Sequence, residues 1–130
     1  MALSATTTTR IVWAVRLFLA LAFGAAGAAK LAGVPQMVQI FDHIGIGQWF
    51  RIFTGIVEIT GAILLLVRQT GFFGGLLLAA TMVCGVATHL LLIGGNPMPA
   101  IVLGTLSSFV AYRLRPLDRV FLPAYLQDRE

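Results

Sequence analysis

Three ionisable side chains that could do chemistry lie within or beside strongly apolar segments: Lys30, Glu58 and His89. An ionisable group inside a bilayer costs free energy, so it is normally paired or buried between helices, and it often marks a functional site. If the segments cross a membrane in alternating directions, all three side chains lie in the same half of the bilayer. Glu58 could then exchange a proton, while Lys30 or His89 donates a hydrogen bond to a ligand oxygen. We therefore predict a ligand site formed by Lys30, Glu58, Thr88 and His89, with Glu58 and His89 as the candidates for acid–base catalysis.

These residues also have structural interpretations. Lys30 lies near the end of its segment, where its ammonium group could extend to the lipid headgroups. His89 could be a neutral packing residue, and Arg16 is expected to extend to the headgroups of the opposite surface. Glu58 differs because it lies about three turns inside its segment. It cannot readily reach water, so a functional or ion-paired role is the stronger interpretation, and we predict that Glu58 pairs with Lys30 or His89 inside the bundle.

Other kinds of chemistry are poorly supported. Cys84 is the only cysteine, which excludes an intramolecular disulfide and a CxxC redox pair. Asp42 and His43 form too small a ligand set for a metal site, so no metal is predicted. The nine basic residues form no basic stripe, so we predict no nucleic-acid partner.

The elements that must position these residues are predicted to be membrane-spanning helices. The chain of 130 residues is 58% hydrophobic and 11% charged, and its mean hydropathy is +0.93. Soluble domains carry about 25% charged residues, so most of this surface must face lipid. A bilayer core needs about 20 helical residues, and four segments qualify or nearly qualify. They are approximately 11–32, 48–67, 71–93 and 99–114, followed by a cytoplasmic tail over 115–130. The prediction is a single all-α membrane domain over 1–130, built as a four-transmembrane-helix bundle.

The link between the first two spans, from Gly33 to Trp49, is long enough to hold an element of its own. Its apolar residues recur at roughly helical spacing, Pro35 suits the first turn of a helix, and Gly45 suits its exit. We predict a short amphipathic helix lying at the membrane interface. A plain surface loop is the alternative.

Basic residues flank the spans unevenly. With four spans, both termini share one side, and that side would hold seven of the nine basic residues, leaving Lys30 and Arg51 on the other. Because lysine and arginine are enriched in cytoplasmic segments, both termini are predicted to be cytoplasmic.

Each predicted span also carries a stripe of small and polar residues, which lets membrane helices approach closely. Gly27, Gly55, Gly61 and Gly85 lie on these stripes and allow two interpretations. They either serve only for helix contact, or they leave an apolar cavity in which the polar groups orient a lipophilic guest such as a quinone.

Three short segments, in their order and spacing, give the chain a resemblance to a known family. They are Gly27-Ala28-Ala29-Lys30-Leu31, Gly55-Ile56-Val57-Glu58-Ile59-Thr60-Gly61-Ala62 and Ala87-Thr88-His89-Leu90. From about Arg10 to Arg113 the chain resembles the DoxX-like family of small bacterial membrane proteins. The resemblance implies a four-helix fold, a place in the bacterial cytoplasmic (inner) membrane and a loose link to oxidoreductase chemistry. Relatives include a subunit of a thiosulfate:quinone oxidoreductase and proteins reported with thiol-stress complexes.

Several functions remain open at this point. The first is an accessory or quinone-binding subunit of a membrane-associated redox system, with a quinone as its cofactor. The others are a small proton-coupled transporter, a membrane-embedded enzyme acting on a lipophilic substrate, and a purely structural membrane partner. We expect that the chain is not an enzyme by itself. The expected partners are the lipid bilayer and a membrane or peripheral redox protein, and a homo-oligomer is left open.

Overall fold

The protein folds as an all-helical bundle in the computed structural model, which describes residues 3–116. This part of the chain forms five α-helices and no β-strand. The helices are α1 (Ala5–Ala32), α2 (Pro35–Ile44), α3 (Trp49–Leu66), α4 (Gly71–Thr88) and α5 (Met98–Arg113). A 3-10 turn, Arg68–Thr70, precedes α4, and a π-helical turn, His89–Ile93, extends it. Most of the predicted tail, residues 117–130, lies outside the described residues.

Three helical segments of the described chain are long and apolar enough to cross a bilayer. They are Ala5–Ala32, Trp49–Leu66 and Arg68–Ile93, and they coincide with the first three predicted spans. The fourth predicted span is also helical, but α5 has only 16 residues, whereas a bilayer core needs about 20. The apolar, all-helical class is therefore confirmed, and the fourth crossing stays a prediction.

Helix α1 begins earlier than the predicted position 11 because Ser4 caps it. The hydroxyl oxygen of Ser4 accepts a hydrogen bond of 3.1 Å from the backbone N–H of Thr7, which satisfies one donor that the first turn leaves without a partner. At the other end, Gly33 adopts a left-handed conformation with φ of 69°. That conformation stops the helix where the sequence predicted.

The helix predicted between the first two spans is confirmed, and the loop alternative is wrong. Pro35 lies in the first turn of α2, and Gly45 ends the helix with φ of 88°. Phe41 is the buried residue of α2, and its ring meets that of Phe50 edge-on at 5.7 Å between centroids. This contact ties α2 to the beginning of α3.

The main helix contacts join α1 to α3, α3 to α4, and α4 to α5, with less contact between α1 and α5. Because the α3–α4 and α4–α5 links are short, these neighbours are antiparallel. The core runs from the middle of the bundle toward the end where α3 stops and α4 starts. We call this the arginine-rich end because Arg16, Arg68, Arg113 and Arg115 lie near it. The fully buried apolar side chains of the core are Leu19, Phe23, Leu65, Leu78 and Val110.

Candidate functional site: a buried ion pair between α1 and α3

The site consists of an ion pair between the last turn of α1 and the middle of α3. The ammonium nitrogen of Lys30 lies 3.1 Å from Oε2 of Glu58 and donates a hydrogen bond to it. The Glu58 side chain is 4% exposed and that of Lys30 is 14% exposed. The prediction that Glu58 pairs with Lys30 or His89 is thus confirmed, with Lys30 as the partner.

Two glycines bring the charged residues together. A Cβ atom added at Gly27 would lie 2.9 Å from the carbonyl oxygen of Gly55, and one added at Gly55 would lie 3.1 Å from that of Gly27. The backbones of α1 and α3 therefore touch at this point, as small residues allow in membrane helices. Lys30 and Glu58 each follow their glycine by three residues, which places them on the same helix faces as the glycines.

Arg51 adds a second contact at the same end of α1. Its guanidinium donates a hydrogen bond to the backbone carbonyl of Lys30, which also accepts one of 3.3 Å from the backbone N–H of Gly33 at the end of the helix. Its Nε donates to Oε1 of Gln48 at 2.7 Å, and Nε2 of Gln48 donates to Oδ1 of Asp42 at 2.7 Å. A series of polar contacts thus leads from α2 to the end of α1, beside the ion pair.

The structure does not bring His89 and Thr88 to this pair. Nδ1 of His89 lies 2.8 Å from the carbonyl oxygen of Gly94 in the loop that follows. The hydroxyl of Thr88 donates to the carbonyl of Cys84 at 2.8 Å, within its own helix. In residues 3–116, Lys30 with Glu58 is the only ion pair. Of the four predicted ligand residues, two meet, and a ligand role for any of them stays a prediction.

The cavity interpretation of the glycines is wrong at three positions. Besides the contact of Gly27 with Gly55, a Cβ at Gly61 would lie 2.5 Å from side-chain atoms of Leu78. Neighbouring helices therefore occupy the space that these glycines leave. Only Gly85 has looser surroundings, with a nearest contact of 3.6 Å to the side chain of Ala100.

Arg16 also differs from its prediction, because it does not extend to the headgroups. It is 2% exposed, and its Nε and Nη2 donate hydrogen bonds of 2.7 Å to the carbonyl oxygens of Leu65 and Val67. Its guanidinium also lies 3.9 Å from the centroid of the Trp13 ring. The cause lies at the end of α3, where helical carbonyls such as that of Leu65 lack a donor within the helix; the Val67 carbonyl also accepts a hydrogen bond of 3.2 Å from the backbone N–H of Thr70.

Sequence reasoning thus missed the structural roles of Arg16 and Arg51. For Arg51 a signal was present, since it precedes Glu58 by seven residues and shares its helix face. For Arg16 the sequence gives no indication of which helix end it reaches, because the two carbonyls it binds belong to a distant segment.

Chemically, the ion pair combines a hydrogen-bond donor with an acceptor that can also exchange a proton, inside an otherwise apolar helix contact. No curated protein and no solved protein structure matches the chain. The model of the DoxX-like family matches residues 14–111, a range that includes Lys30, Glu58 and the contact between Gly27 and Gly55. The chain belongs to the DoxX-like family.

Proposed function

We propose that this protein is an accessory subunit of a membrane redox system and binds a lipophile with an oxygen-bearing head, a quinone above all, at Lys30 and Glu58. The observation that carries the proposal is the burial of this ion pair between two apolar helices, since charges in such a place are rarely incidental. An ammonium group has three N–H donors, and the ammonium group of Lys30 donates to one described residue, Glu58. The remaining donors are available to a quinone carbonyl oxygen.

The quinone head binds at the membrane-facing rim of the pair. The contact between Gly27 and Gly55 leaves no room for a ring between the helices, whereas Lys30 keeps 14% of its side chain exposed. A quinone takes up protons as well as electrons when it is reduced to the quinol. In the proposed arrangement the redox partner supplies the electrons and Glu58 exchanges a proton with the quinone oxygen.

The proposal also includes four membrane crossings, with both termini in the cytoplasm of a bacterium. The helix α5 packs along α4, which supports a short fourth crossing in locally thinned lipid. The clustering of Arg16, Arg68 and Arg113 at one end of the bundle favours that end as the cytoplasmic one. The ion pair then lies in the periplasmic half of the inner membrane.

The test is quinone binding to the full-length protein purified in a mild detergent. Native mass spectrometry should show a co-purifying prenyl quinone, and addition of a short-chain quinone should raise the melting temperature. Lys30→Met should remove both effects, because the donor to the quinone oxygen is lost. Thr60→Val is the matched control, since Thr60 is exposed and its hydroxyl bonds only within α3, to the carbonyl of Ile56. Quinone binding that is absent, or unchanged in Lys30→Met, would refute the proposal.

A purely structural membrane partner is the second candidate function. Only 11% of the residues in the most apolar stretch of Arg68–Ile93 are buried within the bundle. Much of the surface of this helical segment could therefore contact another membrane helix. The same experiment separates the candidates, because a structural partner binds no quinone, and the melting temperature then responds only to the partner protein.

A further inference from the structure

A cleft of about 520 Å³ opens at the arginine-rich end, between the start of α4 and the end of α5. We propose that it is a binding site for the phosphate-bearing headgroup of an anionic phospholipid. The cleft is distinct from the ion pair, which lies toward the opposite end of the bundle. Its lining consists of Arg68, Gln69, Gly71, Phe72, Phe73, Arg113, Leu114, Arg115 and Pro116.

The charge of the cleft is not neutralised by the described part of the chain. Arg68 and Arg113 are exposed, and neither forms an ion pair within residues 3–116. Arg115 donates to the carbonyl of Tyr112 at 2.7 Å and lies over its ring at 4.0 Å, which leaves the positive charge in place. The two acidic residues among those described, Asp42 on α2 and Glu58 of the ion pair, do not line the cleft. Three guanidinium groups therefore share one cleft, and guanidinium matches the geometry of a phosphate by bidentate hydrogen bonding.

A fourth positive charge lies directly beneath the cleft. A Cβ added at Gly71 would lie 2.7 Å from the guanidinium carbon of Arg16 and 2.7 Å from the side chain of Leu114. The backbone of Gly71 therefore lies between the cleft and the buried Arg16. The described hydrogen-bond acceptors of Arg16 are two neutral carbonyls, so its charge is not neutralised by them. Charges act strongly through a poorly polarisable medium, and α4 starts at Gly71 with the positive end of its dipole. Both features raise the affinity of the cleft for an anion.

The walls of the cleft favour a lipid over a free anion. Phe72, Phe73 and Leu114 stand beside the arginines, and Phe73 is 57% exposed. A phospholipid can place its phosphate on the arginines and its acyl chains along this apolar surface, whereas inorganic phosphate gains nothing from it. Basic pockets between membrane helices bind anionic headgroups in this manner.

The proposal is tested by lipid binding to the full-length protein in neutral detergent, followed by native mass spectrometry. Phosphatidylglycerol and cardiolipin should be retained, and phosphatidylcholine should not. Arg68→Gln and Arg113→Gln should each weaken retention about five-fold, and together about twenty-fold. Arg10→Gln is the matched control, because Arg10 is exposed on α1 and does not line the cleft. It should retain the lipid, and circular dichroism should show the wild-type helix content in every variant.

Four results would overturn the proposal. Equal retention of phosphatidylcholine would remove the headgroup preference, and an equal loss in Arg10→Gln would indicate diffuse attraction. Displacement of the lipid by millimolar inorganic phosphate would assign the cleft to a free anion. Lipid binding that appears only in Asp118→Asn would assign the cleft to Asp118 in the tail of the chain itself.

Discussion

Removal of Lys30 should destabilise the bundle more than removal of the charge on Glu58. In Lys30→Met the carboxylate of Glu58, 4% exposed, is left buried without its cation, and breaking a buried pair in this way costs about 3–5 kcal/mol. In Glu58→Gln the new amide still accepts a hydrogen bond. The long Lys30 side chain, already 14% exposed, can also move its ammonium group toward the headgroups. We expect Glu58→Gln to lower the free energy of unfolding by about 1–2 kcal/mol.

The double variant shows whether Lys30 and Glu58 stabilise the bundle as an interacting pair or contribute independently to the free energy of unfolding. Lys30→Met with Glu58→Gln leaves no buried charge, so it should be more stable than Lys30→Met alone. The coupling free energy, which is the departure of the double variant from the sum of the single ones, should be on the order of 2 kcal/mol.

The measurement is the free energy of unfolding in mixed micelles, from titration with a denaturing detergent followed by circular dichroism. Arg10→Met is the control, because it removes an exposed cation from the same helix. A loss below about 1 kcal/mol in Lys30→Met would refute the reasoning, since a broken buried pair costs several times more. Losses in the single variants that add up within about 0.5 kcal/mol would refute it as well.

Three further predictions concern the helix contacts around the ion pair and the orientation of the protein in the membrane. Gly27→Ala should destabilise the bundle by about 1–3 kcal/mol through overpacking, whereas Gly24→Ala, with nothing within 4 Å of the added Cβ, should be neutral or slightly stabilising. Equal melting temperatures for the two variants would contradict the helix contact. Arg16→Met should lower the free energy of unfolding by about 1–3 kcal/mol, because the Leu65 carbonyl loses its donor whereas that of Val67 still accepts from the backbone N–H of Thr70; an unchanged free energy of unfolding would exclude the capping role. In a background without the native cysteine, His43→Cys should react with an impermeant thiol reagent from the periplasm and Gln69→Cys should be protected. The reverse pattern would invert the proposed orientation.

The parts of the fold and site that follow local rules could be predicted from the sequence. Pro35 and Gly45 are conformational signals for the start and end of a helix, and α2 lies between them. The partnership of Glu58 with a cation follows from the cost of an isolated charge in lipid. Its position on the same helix face as Gly55 also indicated that it points toward another helix.

The parts that depend on the register between distant helices could not be predicted. The sequence offered Lys30 and His89 as equal partners for Glu58, and only the crossing of α1 with α3 selects Lys30. The same crossing brings Gly27 and Gly55 into backbone contact and so removes the expected cavity. His89 bonds to Gly94 because the π-helical turn ends there, a local feature that the apolar sequence of the turn does not signal.

The proposed ligand role of the ion pair is compatible with the contacts of two arginines, the buried Arg16 and the half-buried Arg51. Arg51, from the start of α3, binds a carbonyl at the end of α1, and Arg16, from α1, binds carbonyls at the end of α3. The antiparallel pair is therefore fixed at both ends, and the glycine contact fixes it near the middle of α3. None of these three contacts uses the side-chain charges of Lys30 and Glu58, so the register of the helices does not depend on the ion pair. A substitution of Lys30 should consequently alter what the site binds while the helices keep their register, which makes loss of quinone binding in Lys30→Met informative about function.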